Sequence, residues 1–236
     1  MSSAATMAPS AAASSNAVTF ERAWRTGGIA SVACFIIAYV LVGNPPQVGA
    51  PPDVLAAFYT GERTRILIAA FIAGFGVLNL MWFWAALRVT LEECGKDGWG
   101  AAATASSAAV GALFILLLSV SAALAFSIAG SGNTALVSAL NDFVWAGAVL
   151  SSFPRAMMVM SAAFGLWRAG LISNGLFAVG LSFVVLGVLG GTTWASSGFW
   201  APDGAYARFI WPILGLVWIV VVTGVLSKRP NTGVGW

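Results

Sequence analysis

Six unbroken apolar runs dominate the hydrophobic pattern of the chain, and short polar segments separate them. Apolar residues fill consecutive positions in these runs instead of alternating with polar ones, which indicates helices surrounded by lipid. A helix needs about 20 residues to cross a hydrocarbon core of about 30 Å. The predicted spans cover approximately residues 28–43, 66–87, 107–129, 144–167, 175–190 and 209–226. The pattern therefore predicts an all-α, polytopic transmembrane helix bundle.

The two ends of the chain are more polar than the runs between them. Residues 1–26 are rich in Ser and Ala and lack the basic segment and apolar core of a signal peptide. We predict a disordered cytoplasmic tail there, because such a composition cannot bury enough apolar surface to fold. A transmembrane domain is predicted for residues 27–227, followed by a short cytoplasmic tail at 228–236.

Basic residues in the segments between the runs predict the orientation of the bundle. With the N-terminus inside, the cytoplasmic side collects Arg22, Arg25, Arg88, Lys96, Arg168, Lys228 and Arg229, and the outer side holds only Arg63, Arg65 and Arg208. Because Lys and Arg accumulate in cytoplasmic loops, both termini are expected in the cytoplasm.

The composition agrees with a protein whose main partner is the lipid bilayer. Hydrophobic residues make up 59% of the chain and charged residues 8%, with a mean hydropathy of +0.90. A soluble domain carries about 25% charged residues, so this chain lacks the polar surface needed to face water. The net charge of +3 is spread over scattered basic residues, and no dense basic face for nucleic acid is expected.

Arg155 is the one charged residue within the predicted spans. A charge at membrane depth costs roughly 3 kcal/mol or more and commonly marks a functional site. Its side chain should lean toward the outer face, where Ser151, Ser152 and the Leu150 carbonyl freed by Pro154 lie within reach. Two interpretations follow: a structural arginine satisfied by these local groups, or one that holds an anionic or polar ligand in an outer-facing cavity.

Two longer segments are predicted on the outer side, at 44–65 and 190–208. In the first, Asp53 follows two prolines and is expected to cap a short interfacial helix. In the second, Trp194 and Trp200 lie among Gly and Ser residues. These tryptophans either line an outer-facing cavity or belong to the aromatic belt at the level of the lipid headgroups.

Asn79 is the notable neutral polar residue of the second run. Its amide either bonds to a neighbouring helix, for about 1 kcal/mol, or contacts a ligand. The glycines of the runs suit close helix packing: Gly74, Gly76, Gly175, Gly180, Gly187, Gly190 and Gly191. The candidate ligand-binding residues are Arg155, Ser151, Ser152, Asn79, Trp194 and Trp200.

Residues suited to catalysis are scarce. Histidine, the commonest general base, is absent, and no carboxylate lies deep in a predicted span. Cys34 lies within the first run and Cys94 in a cytoplasmic loop with three acidic residues, so no disulfide is expected. Those acidic residues could bind a hard cation, but a solvated loop is the preferred interpretation. We predict no catalytic residue, no metal and no cofactor, and lean away from an enzyme.

Two stretches carry a resemblance to other proteins. They are residues 53–71, DVLAAFYTGERTRILIAAF, and 78–88, LNLMWFWAALR. With the proline inside the fourth run, they resemble a group of six-helix actinobacterial membrane proteins of unknown function. The resemblance implies a location in the bacterial plasma membrane and transfers no catalytic residue.

The sequence thus supports three functional hypotheses. The leading one is a non-enzymatic membrane protein that binds or transports a small apolar or lipid-like molecule through an outer-facing cavity between helices. The second is an accessory subunit whose glycine-rich faces pack against a membrane protein partner. The third is a lipid-modifying enzyme, which the lack of histidine and of buried carboxylates disfavours.

Overall fold

The computed structural model describes residues 11–228, with side-chain positions from residue 26 onward. The described residues form helices joined by short connections, which confirms the all-α class. The helices are α1 (Ala11–Val42), α2 (Pro52–Gly61), α3 (Arg63–Glu93), α4 (Asp97–Ala123), α5 (Thr134–Leu150), α6 (Ser152–Arg168), α7 (Asn174–Gly190) and α8 (Trp211–Ser227). Helix α4 continues through a π-helical turn, Leu124–Ile128, and a 3₁₀ turn, Ala129–Ser131. A second π-helical turn, Tyr206–Ile210, leads into α8.

Four continuous helical stretches are long and apolar enough to cross a membrane. They are Arg63–Glu93, Asp97–Ser131, Thr134–Arg168 and Tyr206–Ser227. Two shorter apolar stretches accompany them, namely the Thr26–Val42 part of α1 and helix α7, Asn174–Gly190. Each of the six predicted runs lies along one of these stretches to within a residue, because unbroken apolar sequence of this length satisfies its backbone hydrogen bonds only as helix in lipid.

The predicted tails lie partly outside the described part of the chain. Residues 1–10 and 229–236 lie outside the described residues, and α1 begins at Ala11, within the predicted N-terminal tail. The division of the chain into two tails and a transmembrane domain therefore stays a prediction.

The short helix expected on the outer side is α2, but its start differs from the prediction. Pro51 occupies the N-cap position, and Asp53 lies in the first turn, where no side chain makes a capping hydrogen bond. The assignment of Asp53 as the cap is wrong, because a proline at the first helical position, Pro52, lets the helix begin two residues earlier than a cap at Asp53 would. The Asp53 carboxylate still lies where the helix dipole favours negative charge.

The helices pack through small residues. Helix α3 lies between α1 and α4, and α6 contacts α4 and α7, while α8 contacts α1. A Cβ on Gly180 of α7 would lie 2.6 Å from the ring of Trp218 in α8, and one on Gly76 would lie 3.0 Å from the Cβ of Cys34. Gly187, Gly190 and Gly191 make similar approaches, whereas Gly74 and Gly175 meet nothing closer than 4.0 and 3.9 Å. Five of the seven predicted packing glycines therefore bring two segments together.

Candidate ligand cavity

A cavity of about 600 Å³ lies between α1, α3, α4, α5, α6 and α8. Its wall is formed mainly by apolar side chains such as Phe114, Leu117, Met158 and Ile219. Small residues on α1 and α3, namely Ala38, Ala69, Ala70 and Ala73, face the same space and leave it unfilled. The volume falls within the range of about 300–1,000 Å³ typical of small-molecule sites.

Arg155 reaches this cavity from the first turn of α6, beside the break at Ser151 that separates α5 from α6. Its Nε donates to the Ser151 carbonyl at 3.2 Å, and its Nη2 donates to the Ala148 carbonyl at 3.1 Å and to Ser152 Oγ at 3.3 Å. The Leu150 carbonyl, which the sequence suggested, is not among these acceptors. Residues 148, 151 and 152 precede Arg155 by seven, four and three positions and share its helical face, whereas Leu150 lies about 140° away from it.

The positive charge of Arg155 has no carboxylate partner within the described part of the chain. Instead, its guanidinium carbon lies 5.6 Å from the ring centre of Trp211 and 6.0 Å from that of Phe114. Such cation–π contacts partly replace the lost hydration of the charge. Arginine has five N–H donors, and within residues 26–228 the two on Nη1 have no acceptor. The half-buried guanidinium can therefore accept a further anionic partner.

Arg208, in the π-helical turn before α8, also lines the cavity. Its Nε donates to the Tyr39 hydroxyl at 3.3 Å, and its Nη2 donates to the Gly43 carbonyl at 3.4 Å and to Asn44 Oδ1. All of these partners are neutral. The described lining thus contains two arginines and no Asp or Glu, so the cavity combines apolar walls with positive charge.

A polar network ties the α1–α2 connection to α5 at one end of the cavity. The buried Tyr59 hydroxyl donates to Asn141 Oδ1 at 3.1 Å, and Asn141 Nδ2 donates to the Gln47 carbonyl at 3.3 Å. The Trp145 indole donates to the Pro46 carbonyl at 3.0 Å. Burial raises the pKa of Tyr59 to about 12, so its phenol stays a neutral donor. This network closes the end of the cavity that lies beyond Arg155 toward α2.

Three of the six candidate residues lie together at the cavity, and three do not. Arg155, Ser151 and Ser152 line it. Asn79 does not: its Nδ2 donates to the Phe75 carbonyl of its own helix at 2.9 Å, so it makes neither the predicted bond to another helix nor a contact with the cavity.

Trp194 and Trp200 also lie away from the lining. Their indoles donate to carbonyls within the α7–α8 connection, from Trp194 to Gly191 at 3.0 Å and from Trp200 to Thr192 at 2.9 Å. The rings of Trp200 and Tyr206 lie tilted against each other, with 4.5 Å between their centres. The connection folds on itself through these bonds, and neither indole lines the cavity.

The nearer of the two aromatic rings beside Arg155 belongs to Trp211, which sequence reasoning did not select. Trp211 lies near the start of the sixth run, a position where a tryptophan is usually assigned to the aromatic belt. Arg208 was counted only as an outer charge. The spacing of Arg208 and Trp211 could have indicated that they face the same space, because residues three apart on a helix share one face.

Within the described residues, the cysteines and the loop around Cys94 show no arrangement for chemistry. Cys34 and Cys94 are not joined by a disulfide. Within the described residues, no three His, Cys, Asp or Glu side chains come close enough to hold a metal ion. Glu92 of the loop pairs with Arg88, with 2.6 Å between carboxylate oxygen and Nε.

The cavity is thus an apolar space with one arginine in its wall, a second arginine at its edge and neutral polar groups at one end. Nothing in this arrangement is specific to a reaction. In comparisons with protein-family models, with curated proteins and with solved structures, the chain has no match.

Proposed function

We propose that the protein is a six-span protein of the bacterial plasma membrane, with both termini in the cytoplasm, that binds a small lipid-like molecule in the cavity. The polar or anionic end of the ligand contacts Arg155, and its apolar part occupies the space between the helices. The orientation rests on the distribution of Lys and Arg, and the bacterial membrane on the resemblance of residues 53–71 and 78–88.

The observation that carries this proposal is an arginine in an apolar cavity that has no carboxylate partner among the described residues. Burying an ion costs several kcal/mol unless an opposite charge compensates it. Neutral carbonyls and two aromatic rings compensate the Arg155 charge only in part. The Nη1 donors are left for an anionic ligand group, and a carboxylate or phosphate would form the strong, charge-assisted hydrogen bonds that guanidinium favours.

The alternative functions find less support. The glycines that suggested a subunit interface pack mostly within the chain, against Trp218, Cys34, Ser152 and Phe153. For a lipid-modifying enzyme, Ser151 and Ser152 would be the available hydroxyls. The described lining offers no carboxylate and the chain no histidine to activate them.

The experiment that tests the proposal is native mass spectrometry of the purified protein with the lipids that remain bound. The wild type should retain an anionic lipid-like molecule. Arg155→Leu should lower its retention by about tenfold or more, because loss of a buried charge contact costs about 2 kcal/mol or more. Arg155→Lys should retain an intermediate amount, since lysine keeps the charge but not the planar fork.

Arg168→Leu is the matched control. Arg168 ends the same helix and stacks on Trp167, but it does not line the cavity. Its substitution should leave retention unchanged. Equal retention in the wild type and Arg155→Leu, or a wild type free of any lipid-like molecule, would contradict the proposed function.

A further inference from the structure

The cavity has an opening on the side of the bundle. Only four residues of its described lining are largely exposed: Ile36 and Tyr39 of α1, at 49% and 45%, and Phe209 and Ile213 at the start of α8, at 44% and 54%. All other residues of the lining are buried or half-buried. The cavity therefore reaches the surface between α1 and α8, and we call this gap the lateral opening.

Two contacts between α1 and α8 bound the lateral opening. At one end, Gly28 brings the helices together, and a Cβ there would lie 3.1 Å from Ile219 Cγ2. At the other end, Arg208 bonds to Tyr39 and to the residues that follow α1. The rings of Tyr39 and Phe209 meet edge-on across the gap, with 6.2 Å between their centres. Between these contacts the two helices leave space.

The end of the cavity toward α2 is closed. Tyr59 and Asn141, which line it there, are buried and bonded to each other, and Asn141 also holds the α1–α2 connection. A ligand arriving from water at this end would have to break that network. Passage of a ligand through the lateral opening requires no hydrogen bond to be broken, apart from those of Arg208 at its edge.

The lateral opening faces the lipid that would surround the bundle. Its exposed side chains are apolar or aromatic, and they lie on apolar helices. The described lining behind them presents Arg155 and Arg208 and no carboxylate. A molecule that fits both features has an apolar chain, which can remain in the opening, and an anionic head, which reaches the arginines.

We infer that the ligand is an anionic membrane lipid, taken sideways from the bilayer through the lateral opening between α1 and α8. This inference rests on the proposed function and adds the source and the class of the ligand. The head lies against Arg155, with Arg208 at the edge of its path, and the chain extends between Ile36 and Ile213 toward the surrounding lipid.

The test uses the full-length protein in phosphatidylcholine vesicles that contain a small fraction of a long-chain fatty acid with a photoreactive diazirine in its chain. Irradiation followed by peptide mass spectrometry measures labelling of cavity residues such as Phe114 and Leu117. In the double variant Ile36→Trp/Ile213→Trp, two large rings narrow the opening. Labelling of the cavity should fall by about tenfold or more, which corresponds to a loss of about 1.4 kcal/mol or more of binding free energy.

The control is Val40→Trp/Val217→Trp. These residues lie one helical turn along α1 and α8, are also exposed, at 67% and 45%, and do not line the cavity. This variant should be labelled like the wild type.

A second experiment closes the lateral opening reversibly, so that misfolding of the Ile36→Trp/Ile213→Trp variant is excluded as the cause of lost labelling. Tyr39→Cys/Phe209→Cys, in a background of Cys34→Ala/Cys94→Ser, is joined across the opening by a short, reducible bifunctional thiol reagent. Cavity labelling should be lost on cross-linking and return on reduction, whereas single-cysteine variants treated in the same way should not change.

Three outcomes would overturn the inference. Equal labelling in the narrowed, cross-linked and wild-type proteins would show that the ligand enters elsewhere, and the proposed function would survive. Labelling by a water-soluble short-chain diazirine carboxylate, but not by the vesicle-borne fatty acid, would show that the ligand comes from water. A wild type whose cavity is labelled by neither probe would refute the proposed function together with the inference.

Discussion

The packing around helix α8 has two parts, one filled by tryptophan rings and one left open at a glycine. Trp211, Gly215 and Trp218 are spaced four and three residues apart and share one face of the helix. The two tryptophan rings fit against Gly187 and Gly180 of α7 and fill the space between the helices. Gly215, between them, meets nothing within 4 Å and lines the cavity. A glycine therefore gives a tight contact where a large ring faces it, and it lines a cavity where no side chain fills the space beside it.

In the filled part, the burial of indole N–H groups costs free energy. The indole N–H groups of Trp211 and Trp218, like that of Trp84, are buried without an acceptor in the described part of the structure. Each such group costs about 1–3 kcal/mol, which the burial of a large aromatic surface can offset. The hollow part instead is closed by the hydrogen bonds of Tyr59 and Asn141. The filled part thus depends on shape, and the hollow part on polar bonds.

The largest effect on stability is expected in the filled part, for Gly187→Ala. A Cβ there would clash with the Trp211 ring and lie 3.0 Å from the Ala156 Cβ, so α7 would have to move. We expect the free energy of unfolding to fall by about 1–3 kcal/mol, in thermal or denaturant unfolding in detergent. Gly224→Ala is the control, because a Cβ at Gly224 meets nothing, and it should gain up to about 1 kcal/mol of helix propensity. Equal free energies of unfolding for the two variants would contradict the tight contact between Gly187 and the Trp211 ring.

A smaller effect is expected at the polar closure, for Tyr59→Phe. Loss of the hydrogen bond to Asn141 should cost about 1 kcal/mol at neutral pH. The pKa of Tyr59 is raised from 10.0 to about 12 in the folded protein, so the folded state holds this proton more tightly than the unfolded chain. The advantage of the wild type should therefore be constant below about pH 10 and decline as the pH rises toward 12. Measurement of unfolding for both proteins across this range checks the sign, and a difference that grows with pH would contradict it.

The smallest effect on stability is expected for Gly215→Leu, which places a side chain into the cavity. With no atom within 4 Å of the new Cβ, the change in stability should stay within about 1 kcal/mol. Ligand retention in native mass spectrometry should nevertheless fall, because the leucine occupies part of the ligand volume. Gly224→Leu alters the same helix at an equally open position off the cavity and should keep the ligand. Loss of the ligand from both variants would mean that the change acts through α8 as a whole.

The sequence predicted the helices better than it predicted the site. Unbroken apolar runs locate all six apolar helical stretches, because in lipid the backbone can satisfy its hydrogen bonds only within a helix or closed barrel. The sequence singles out Arg155, Ser151 and Ser152, which line the cavity, because a charge in such a run is conspicuous. The predicted bond from Asn79 to another helix is wrong, because its amide bonds to the Phe75 carbonyl one turn back on its own helix. Such a bond leaves no trace in hydrophobic spacing.

The tryptophans show the same limit. Trp194 and Trp200 lie in a flexible-looking Gly/Ser segment, and their distance from Arg155 depends on how that segment folds. Trp211 lies near Arg155 only because α6 and α8 pack side by side, and a contact between residues so far apart along the chain has no local signature.

The sequence by itself determined the class of the protein, the positions of its apolar helices and the one charge placed among them, since these follow from the length and composition of continuous segments. Only the tertiary structure decided which small residues face rings and which face open space. It also decided that Arg155 lacks a carboxylate partner among the described residues and that the cavity opens between α1 and α8. These properties arise from pairs of distant segments, whose mutual packing depends on volume and shape rather than on local pattern.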